Sequence, residues 1–379
     1  MGTPATVLEA LRRFLPQFLP TAPALSPEQQ RAIWAITHCR TPALGGSAFA
    51  CKDCGQLHFA YHSCNHKACP QCGALDAHRW VERELGKRVN APYFLVTFTL
   101  PAELRPCFFG PRAKEAYGLF FTAASGALSE KLAADKALRA HTSGFVALLH
   151  TWTQKLEFHP HLHCLVPGAG LDPQNHFVQV KKPQFLLHLP HLQAAFRQHL
   201  YRLLQQNDWP VDPQVWRKDW GVHIQPAGAG ASALKYLGTY VSRTAITNAR
   251  MVRVDPDAVT FRWKDRSDGN RRKELTLSGL EFVRRYLRHV LPTGLRSIRY
   301  YGFCHPAAKA KRMRVQLHSG RPVQFGATTS PLPEQTASGS PLCPRCGQPM
   351  RLLFRLSAFE CSRDPPATPP PSPATSLIP

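Results

Sequence analysis

The sequence has few acidic residues for its length. Its 379 residues include 24 Asp and Glu against 47 Lys and Arg, which gives a formal net charge of +23 at pH 7. This surplus exceeds the charge of about 2–8 usual for a small soluble domain, and it favours a polyanionic partner, most often nucleic acid. Hydrophobic residues make up 44% and charged residues 19%, which excludes an intrinsically disordered chain.

The sequence also lacks long apolar runs. No segment of 18 or more apolar residues occurs, so we expect no membrane-spanning helix. A secretory pattern is missing, because Arg12 and Arg13 interrupt the first apolar stretch and no small-residue cleavage site follows. We therefore expect a cytoplasmic protein with no membrane partner, in a reducing compartment that keeps cysteines as thiols.

Cysteines are plentiful, and six of the 12 fall in one short segment, 39–72. Two CxxC knuckles in this segment supply the four thiolates that zinc prefers in a tetrahedron. The sequence therefore predicts a structural zinc ion held by Cys51, Cys54, Cys69 and Cys72. Further candidate ligands lie in or beside the same segment: Cys64 as an alternative zinc ligand, Cys39, His38, His62 and His66. The ligand set could therefore be permuted, or a second ion could bind.

The pattern of predicted elements alternates strands with helices. A buried strand is predicted at 93–100, where aromatic and β-branched residues precede Pro101. Ser26 followed by Pro27 predicts the start of a helix, and residues 255–257 predict the turn of a hairpin. Further strands are predicted at 144–151, 157–166 and 222–225, and helices at 112–139, 190–206, 231–244 and 278–291. This pattern indicates an α+β or α/β catalytic core.

Composition predicts four parts along the chain. They are a helical N-terminal region (1–36), a zinc-binding domain (37–90), a catalytic domain (91–327) and a tail (328–379). Pro, Ser and Thr accumulate in the tail, and we expect residues 362–379 to be disordered.

A His-x-His pair lies in the strand predicted at 157–166. Residues two apart in a strand point to one face, so His161 and His163 present two imidazoles to the same ion, while Leu162 points into the core. The pair alone is a weak signal, because it fills only half of a coordination shell. The sequence does not decide the third metal ligand. The candidates are a residue on a downstream helix and the nearby Gln154, Glu157 and His159.

Two tyrosines follow on that downstream helix. Tyr236 and Tyr240 are four residues apart and share one helical face, and Gly238 between them makes room for a close approach by backbone or substrate. Lys235 and Arg243 flank the pair with the positive charge that a phosphate site requires. Because the pKa of tyrosine is about 10, a tyrosine nucleophile needs a metal or another cation, which the histidine pair could supply.

The most basic stretch of the chain lies beyond this helix. It contains Lys264, Arg271 and Arg272, which we expect to contact DNA phosphates. A merely solvated surface is the alternative interpretation of the same residues.

Several short segments occur in a fixed order along the chain. They are Cys39-Arg40-Thr41, Leu44-Gly45-Gly46, Tyr61-His62-Ser63-Cys64, Cys69-Pro70-Gln71-Cys72, Pro92-Tyr93-Phe94, Phe98-Thr99-Leu100-Pro101, His150-Thr151-Trp152, His159-Pro160-His161-Leu162-His163-Cys164, Tyr236-Leu237-Gly238-Thr239-Tyr240, Phe261-Arg262-Trp263-Lys264-Asp265 and Tyr300-Tyr301-Gly302. Together they resemble the IS91 group of HUH-type rolling-circle transposases, which are relatives of the rolling-circle replication initiators.

This resemblance implies an α+β fold in which an N-terminal zinc-binding domain precedes an HUH endonuclease domain with an antiparallel sheet core and flanking helices. It implies that His161 and His163 bind catalytic Mg²⁺ or Mn²⁺ and that Tyr236 and Tyr240 are the nucleophiles. The family often has histidine where this chain has Ser47 and Ala68, which argues against a second zinc ion. A knuckle at Cys343-Pro344-Arg345-Cys346 is followed only by Cys361, so we expect a degenerate C-terminal ribbon.

The resemblance implies a transposase that nicks and rejoins single-stranded DNA at insertion-sequence ends through a 5′-phosphotyrosine. Its partners would be single-stranded transposon ends and target DNA at the bacterial nucleoid, with no small-molecule substrate. The alternatives are a plasmid-type replication initiator with the same chemistry and a non-catalytic zinc DNA-binding protein. The tyrosine pair together with the cysteine cluster favours the transposase.

Overall fold

The computed structural model describes residues 5–358 with the exception of residues 137, 219, 242–244, 266 and 321–339. Of Tyr240 it describes the backbone and not the side chain. Arg243, Cys361 and the tail segment 362–379 lie outside the described residues, so the predictions for them stay predictions.

The described elements follow the predicted alternation. The helices are α1 (Val7–Phe18), α2 (Pro27–His38), α3 (Ala74–Gly86), α4 (Ala113–Ala134), α5 (Leu189–Gln206), α6 (Ala231–Val241), α7 (Gly279–Leu287) and α8 (Lys309–His318). The strands are β1 (Gly46–Cys51), β2 (Leu57–Tyr61), β3 (Tyr93–Thr99), β4 (Gly144–Trp152), β5 (Phe158–Pro167), β6 (Ala169–Leu171), β7 (Phe177–Gln179), β8 (Val222–Pro226), β9 (Met251–Val254), β10 (Ala258–Asp265), β11 (Arg271–Ser278), β12 (Ile298–Gly302) and β13 (Met350–Leu356).

Five antiparallel strands form the central sheet in the order β12-β4-β5-β3-β8. Strand β5 therefore lies in the middle, where both of its edges are paired. The fold is α+β with an antiparallel sheet core and flanking helices, as predicted, and the α/β alternative is wrong for the described strands because no pair of them is parallel.

Helices cover the two faces of this sheet differently. On one face Val96, Ala147 and Leu162 pack with helices α4 and α5 in a continuous apolar core, which confirms the inward direction of Leu162. On the other face Leu148 and Leu165 pack with helices α3, α6 and α8. The remainder of this second face is open and lines a cleft of about 1130 Å³.

A second antiparallel sheet, β11-β10-β9, lies beside the first. The predicted turn is confirmed, because the Asp255 backbone N–H donates to the Ala258 carbonyl at 2.8 Å and closes the link from β9 to β10. Helices α1 and α7 pack in one core with this sheet, and the Phe14 ring fills the space where Gly279 lacks a Cβ atom. The helix start at Ser26 is also confirmed, by a capping box with Gln29.

The third sheet joins the cysteine-rich N-terminal segment to the last strand of the described chain. Strand β1 pairs with β2 on one edge and with β13 on the other, both antiparallel. We did not expect β13, since the whole segment after residue 327 was predicted to be a degenerate tail. Among the helices that the structure describes, none is long and apolar enough to cross a membrane.

Candidate functional site

Three histidines meet on the open face of the central sheet. The alternation of β5 places His161 and His163 on one face, and the antiparallel register with β4 sets His150 directly opposite His161. One ring nitrogen of each histidine lies within 4.8 Å of those of the other two. The third candidate ligand is therefore His150, which the sequence analysis did not consider.

The residues considered for that third position lie elsewhere around the cleft. Gln154, Glu157 and His159 line its wall. His159 is engaged by Arg105, whose guanidinium nitrogen lies 3.0 Å from the His159 Nδ1 atom. Within the described residues they do not join the three-histidine group. The signal that the sequence offered for His150 is its place in the strand predicted at 144–151, whereas the pairing of that strand with β5 is visible only in the structure.

Neighbouring polar groups orient two of the rings. The His161 Nδ1 atom lies 2.7 Å from the His159 carbonyl oxygen, so Nδ1 carries the proton and donates it. The His163 Nδ1 atom lies 2.9 Å from the Thr97 hydroxyl. These contacts leave Nε2 of both rings as the atom that could bind a metal, which is the usual arrangement of metal-binding histidines.

The most deeply buried histidine of the group, His150, is held in its neutral form. Burial, followed by the neighbouring charges of His163 and His161, lowers the pKa of His150 well below its usual range. Neutral imidazole is the form that binds metal. Three imidazoles leave positions around an ion for oxygen ligands such as phosphate, so the donor set fits a catalytic divalent ion.

Helix α6 brings Tyr236 to this group. The helix is anchored to the second face of the central sheet by buried Leu234 and Leu237, and Tyr236 is 38% exposed on the cleft side. Its ring centroid is 6.5 Å from that of His163. The structure thus brings together the predicted tyrosine and the predicted histidines. Tyr240 lies one turn later in the same helix.

Basic and aromatic residues line another part of the cleft wall. Trp152, Lys155, Trp263 and Lys264 all belong to this wall. The Lys155 ammonium lies 4.3 Å from the centre of the Trp263 ring.

The other predicted phosphate contacts lie on exposed surfaces nearby. Lys235 is exposed on α6, and Arg272 is exposed on β11 opposite Lys264. Arg271 is also exposed, and its guanidinium lies 3.6 Å from the Asp268 carboxylate.

The first cysteine group consists of Cys39, Cys64, Cys69 and Cys72. The Cys72 Sγ atom lies 3.6 Å from Cys39 Sγ and 3.7 Å from Cys64 Sγ. A Zn–S bond of about 2.3 Å places sulfurs about 3.8 Å apart in a tetrahedron, so the spacing fits zinc. Burial raises the pKa of the Cys39 thiol to about 11, and a metal ion would overcome this by stabilising the thiolate.

The second group consists of Cys51, Cys54, Cys343 and Cys346. Three Sγ–Sγ distances are 3.4 Å (Cys51 to Cys346), 3.5 Å (Cys54 to Cys343) and 3.6 Å (Cys54 to Cys346). This arrangement corrects three expectations. The two predicted knuckles belong to different groups, a second four-cysteine group that could hold a metal ion is present despite Ser47 and Ala68, and the C-terminal knuckle is not degenerate.

The chain resembles known transposases along most of its length. A family model described as "Transposase zinc-binding domain" matches residues 10–100, and one described as "Putative transposase" matches residues 144–312. "Putative transposase y4qJ" of Sinorhizobium fredii is 39% identical over 318 residues, which are 78% of this chain and 79% of the relative. "Transposase for insertion sequence element IS801" of Pseudomonas savastanoi pv. phaseolicola is 27% identical over 283 residues, 70% of this chain and 67% of the relative. No solved structure matches the chain significantly.

Proposed function

Because the chain belongs to the IS91 family of transposases, we propose that it nicks and rejoins single-stranded DNA at insertion-sequence ends by rolling-circle transposition. The observation that carries the proposal is the position of Tyr236 beside His163, in the cleft that the three-histidine group lines. A nucleophile and a group of metal ligands on one open face can act on the same phosphate.

Tyr236 acts as the nucleophile on one DNA strand. Its hydroxyl oxygen forms a bond to phosphorus, and the bond from phosphorus to the 3′ oxygen breaks. The products are a 5′-phosphotyrosine and a free 3′-hydroxyl, and the proton that the tyrosine loses balances the one that the 3′ oxygen gains. Since the covalent link conserves the phosphodiester bond energy, rejoining needs no ATP.

The histidines prepare the site for this attack. A divalent ion held by His150, His161 and His163 would polarise the scissile phosphate and stabilise the negative charge on the leaving oxygen. We favour Mn²⁺ over Mg²⁺, because Mg²⁺ prefers oxygen ligands and the donors here are imidazole nitrogens. The contacts of His161 with the His159 carbonyl and of His163 with Thr97 hold the two rings in position before substrate binds.

Tyr240 supplies a second nucleophile one helical turn away. Two tyrosines allow the enzyme to keep one strand end bound while it cuts another, which strand transfer requires.

We assign phosphate contacts to Lys235, Lys264, Arg271, Arg272 and Arg243. We place the enzyme with its DNA at the bacterial nucleoid, and we keep 37–90 and 91–327 as its zinc-binding and catalytic domains.

Cleavage of labelled single-stranded oligonucleotides tests the proposal. Oligonucleotides that tile both flanks of the gene are incubated with the protein and Mn²⁺ and resolved on denaturing gels. Wild type should form a covalent protein–DNA adduct that requires added divalent metal. His150→Ala and His161→Ala should reduce the adduct by more than about 10-fold, since loss of even an outer-shell partner of a metal ligand typically costs about 10–100-fold in activity.

Tyrosine variants identify the nucleophile. The double variant Tyr236→Phe, Tyr240→Phe should form no adduct, whereas Tyr201→Phe, an exposed tyrosine on α5 outside the cleft, should behave as wild type. An adduct with the double variant would overturn the assignment of helix α6.

A further inference from the structure

Trp263 lies at the point where strand β10 leaves the protein core and enters the cleft. Phe261, two residues earlier on the same face, is fully buried in the core with α1 and α7. Trp263 is partly exposed, and its side chain lines the same cleft as Tyr236 and the three histidines. A large aromatic ring is therefore presented to the cleft and not to the core.

The surroundings of this ring are basic. The Lys155 ammonium lies 4.3 Å from the ring centre, and exposed Lys264 lines the cleft next to it in the chain. Arg250 ties the two segments together: its Nε donates to the Arg262 carbonyl at 2.8 Å, and a terminal guanidinium nitrogen donates to the Gln154 carbonyl. Trp263 and Lys155 are thus fixed beside each other by a shared neighbour.

An aromatic ring next to lysine ammonium groups complements single-stranded DNA. Each nucleotide offers a flat base that stacks on an aromatic ring and a phosphate that pairs with a cation. Lysine has a long flexible stem, so the Lys155 ammonium can turn from the ring to a phosphate and leave the ring face to a base. In a duplex the bases are already stacked on one another and do not offer their faces.

We propose that Trp263 stacks against a base of the nucleotides that flank the scissile phosphate and that Lys155 binds the adjoining phosphate. This subsite rests on the proposed function, because the cleft that it lines is the one assigned to strand cleavage. It makes Trp263 a binding residue that orients the strand across the three-histidine group and Tyr236.

Binding measurements with the full-length, zinc-loaded protein test the subsite without cleavage. The variants are built on the Tyr236→Phe, Tyr240→Phe background, and the probe is the single-stranded oligonucleotide that wild type cleaves, or the tiling oligonucleotide bound most tightly if none is cleaved. Trp263→Ala should weaken binding by roughly 10–100-fold, the range expected for loss of one stacked base, and Trp263→Phe by less than about 3-fold. Both variants should bind a duplex of the same sequence with the same affinity as the parent.

Trp209→Ala is the matched control. Trp209 is also partly exposed and also carries a cation, with the Arg112 guanidinium carbon 4.2 Å from its ring centre, but it packs against the core on the opposite face of the sheet. The Trp209→Ala variant should bind single-stranded DNA with the same affinity as the parent. In a second measurement, 2-aminopurine placed at successive positions of the probe should be quenched at one position by the parent and not by Trp263→Ala.

The outcomes separate this inference from the proposed function. If wild type forms the adduct but Trp263→Ala binds single strands as tightly as the parent, the subsite is wrong and the proposed function stands. If Trp263→Ala weakens single-strand binding while wild type forms no adduct, the stacking of Trp263 on single-stranded DNA stands, and the cleavage proposal and the position of this subsite beside a scissile phosphate both fail. Equal losses for duplex and single strand, or lower zinc content and unfolding temperature in Trp263→Ala and Trp263→Phe alike, would show a structural role and overturn the subsite.

Discussion

Val81 of helix α3 lies against Gly238 of helix α6, so closely that a Cβ atom at position 238 would overlap the Val81 Cγ2 atom. Helix α3 begins two residues after Cys72, a member of the first cysteine group, and helix α6 carries Tyr236. The room that Gly238 provides, predicted to serve backbone or substrate, is thus filled by a side chain of the zinc-binding region. The packing of these two helices sets the position of the tyrosine.

Gly238→Ala should therefore impair cleavage. Overpacking of this kind costs about 1–3 kcal/mol, partly offset by the gain of about 1 kcal/mol for Ala over Gly in a helix. We expect a small change in the free energy of unfolding and a clear loss in the rate of adduct formation, because α6 must shift. Denaturant unfolding and single-turnover cleavage measure the two quantities.

A second substitution checks the cause. Val81→Ala removes the methyl groups that the new Cβ would meet, so Gly238→Ala with Val81→Ala should recover much of the cleavage rate that Gly238→Ala loses. If the double variant is as slow as Gly238→Ala, contact with Val81 is not what limits the position of Tyr236.

Two zinc ions should be bound per chain. Cys346→Ser should leave one of them, and should detach strand β13 from β1 without unfolding the rest, because the second group ties the C-terminal knuckle to Cys51 and Cys54 while the first group keeps its four cysteines. Cys69→Ser should unfold residues 37–78, since zinc contributes roughly 10–16 kcal/mol in small zinc domains, and because this segment contains Cys51 and Cys54 of the second group, both ions should be lost. Metal analysis measures the zinc content of both variants, and limited proteolysis shows which segment of each has unfolded. Equal zinc in Cys346→Ser and wild type would contradict the second site.

Lys264 and Arg272 are directly opposite each other on β10 and β11, with like charges on one face. The neighbouring cross-strand pair, Arg262 and Glu274, has opposite charges, 3.6 Å apart. Like charges at such positions destabilise a sheet by a few tenths of a kcal/mol, whereas DNA phosphates would neutralise them. Lys264→Gln should therefore bind single-stranded DNA more weakly and unfold no more easily.

Salt titration distinguishes a phosphate contact from a solvated charge. For Lys264→Gln the slope of log affinity against log salt should fall by about 0.7, the value for one phosphate contact to a single strand. Lys131→Gln, on helix α4 behind the sheet, should keep the wild-type slope. An unchanged slope for Lys264→Gln would show that Lys264 does not contact phosphate.

Acid should destabilise the fold through His289. Burial lowers the pKa of His289 from 6.5 to about 4, and its ring contacts the Thr151 hydroxyl and the Leu156 carbonyl. Between these two pKa values the unfolded chain binds a proton that the folded chain does not. The free energy of unfolding therefore decreases as pH falls from about 6.5 towards 4. At pH 5 the loss should be roughly 2 kcal/mol, at 1.36 kcal/mol per pKa unit.

The comparison with a variant isolates this histidine from the other titrating groups. Denaturant unfolding gives the free energy of unfolding of wild type and of His289→Gln. The wild-type value minus the variant value should decrease by about 2 kcal/mol between pH 7.5 and pH 5. A constant difference for His289→Gln would contradict the prediction.

Local patterns in the sequence determined much of this protein. The alternation around Leu162 was sufficient to place His161 and His163 on the open face of a strand. The turn at 255–257 and the capped start of α2 were also predicted, since each depends on contacts within a few residues. Such features follow from backbone geometry and side-chain chemistry at short range.

Only the tertiary structure decided which distant residues meet. Periodicity tells which face of a strand a side chain occupies but not which strand lies beside it, so His150 opposite His161 could not be read from either segment alone. Cys54 and Cys343 are 289 residues apart in the chain, yet their Sγ atoms lie 3.5 Å apart. Such pairings are fixed by the packing of the whole chain, because the entropy lost in closing a long loop is recovered only when many other contacts form with it.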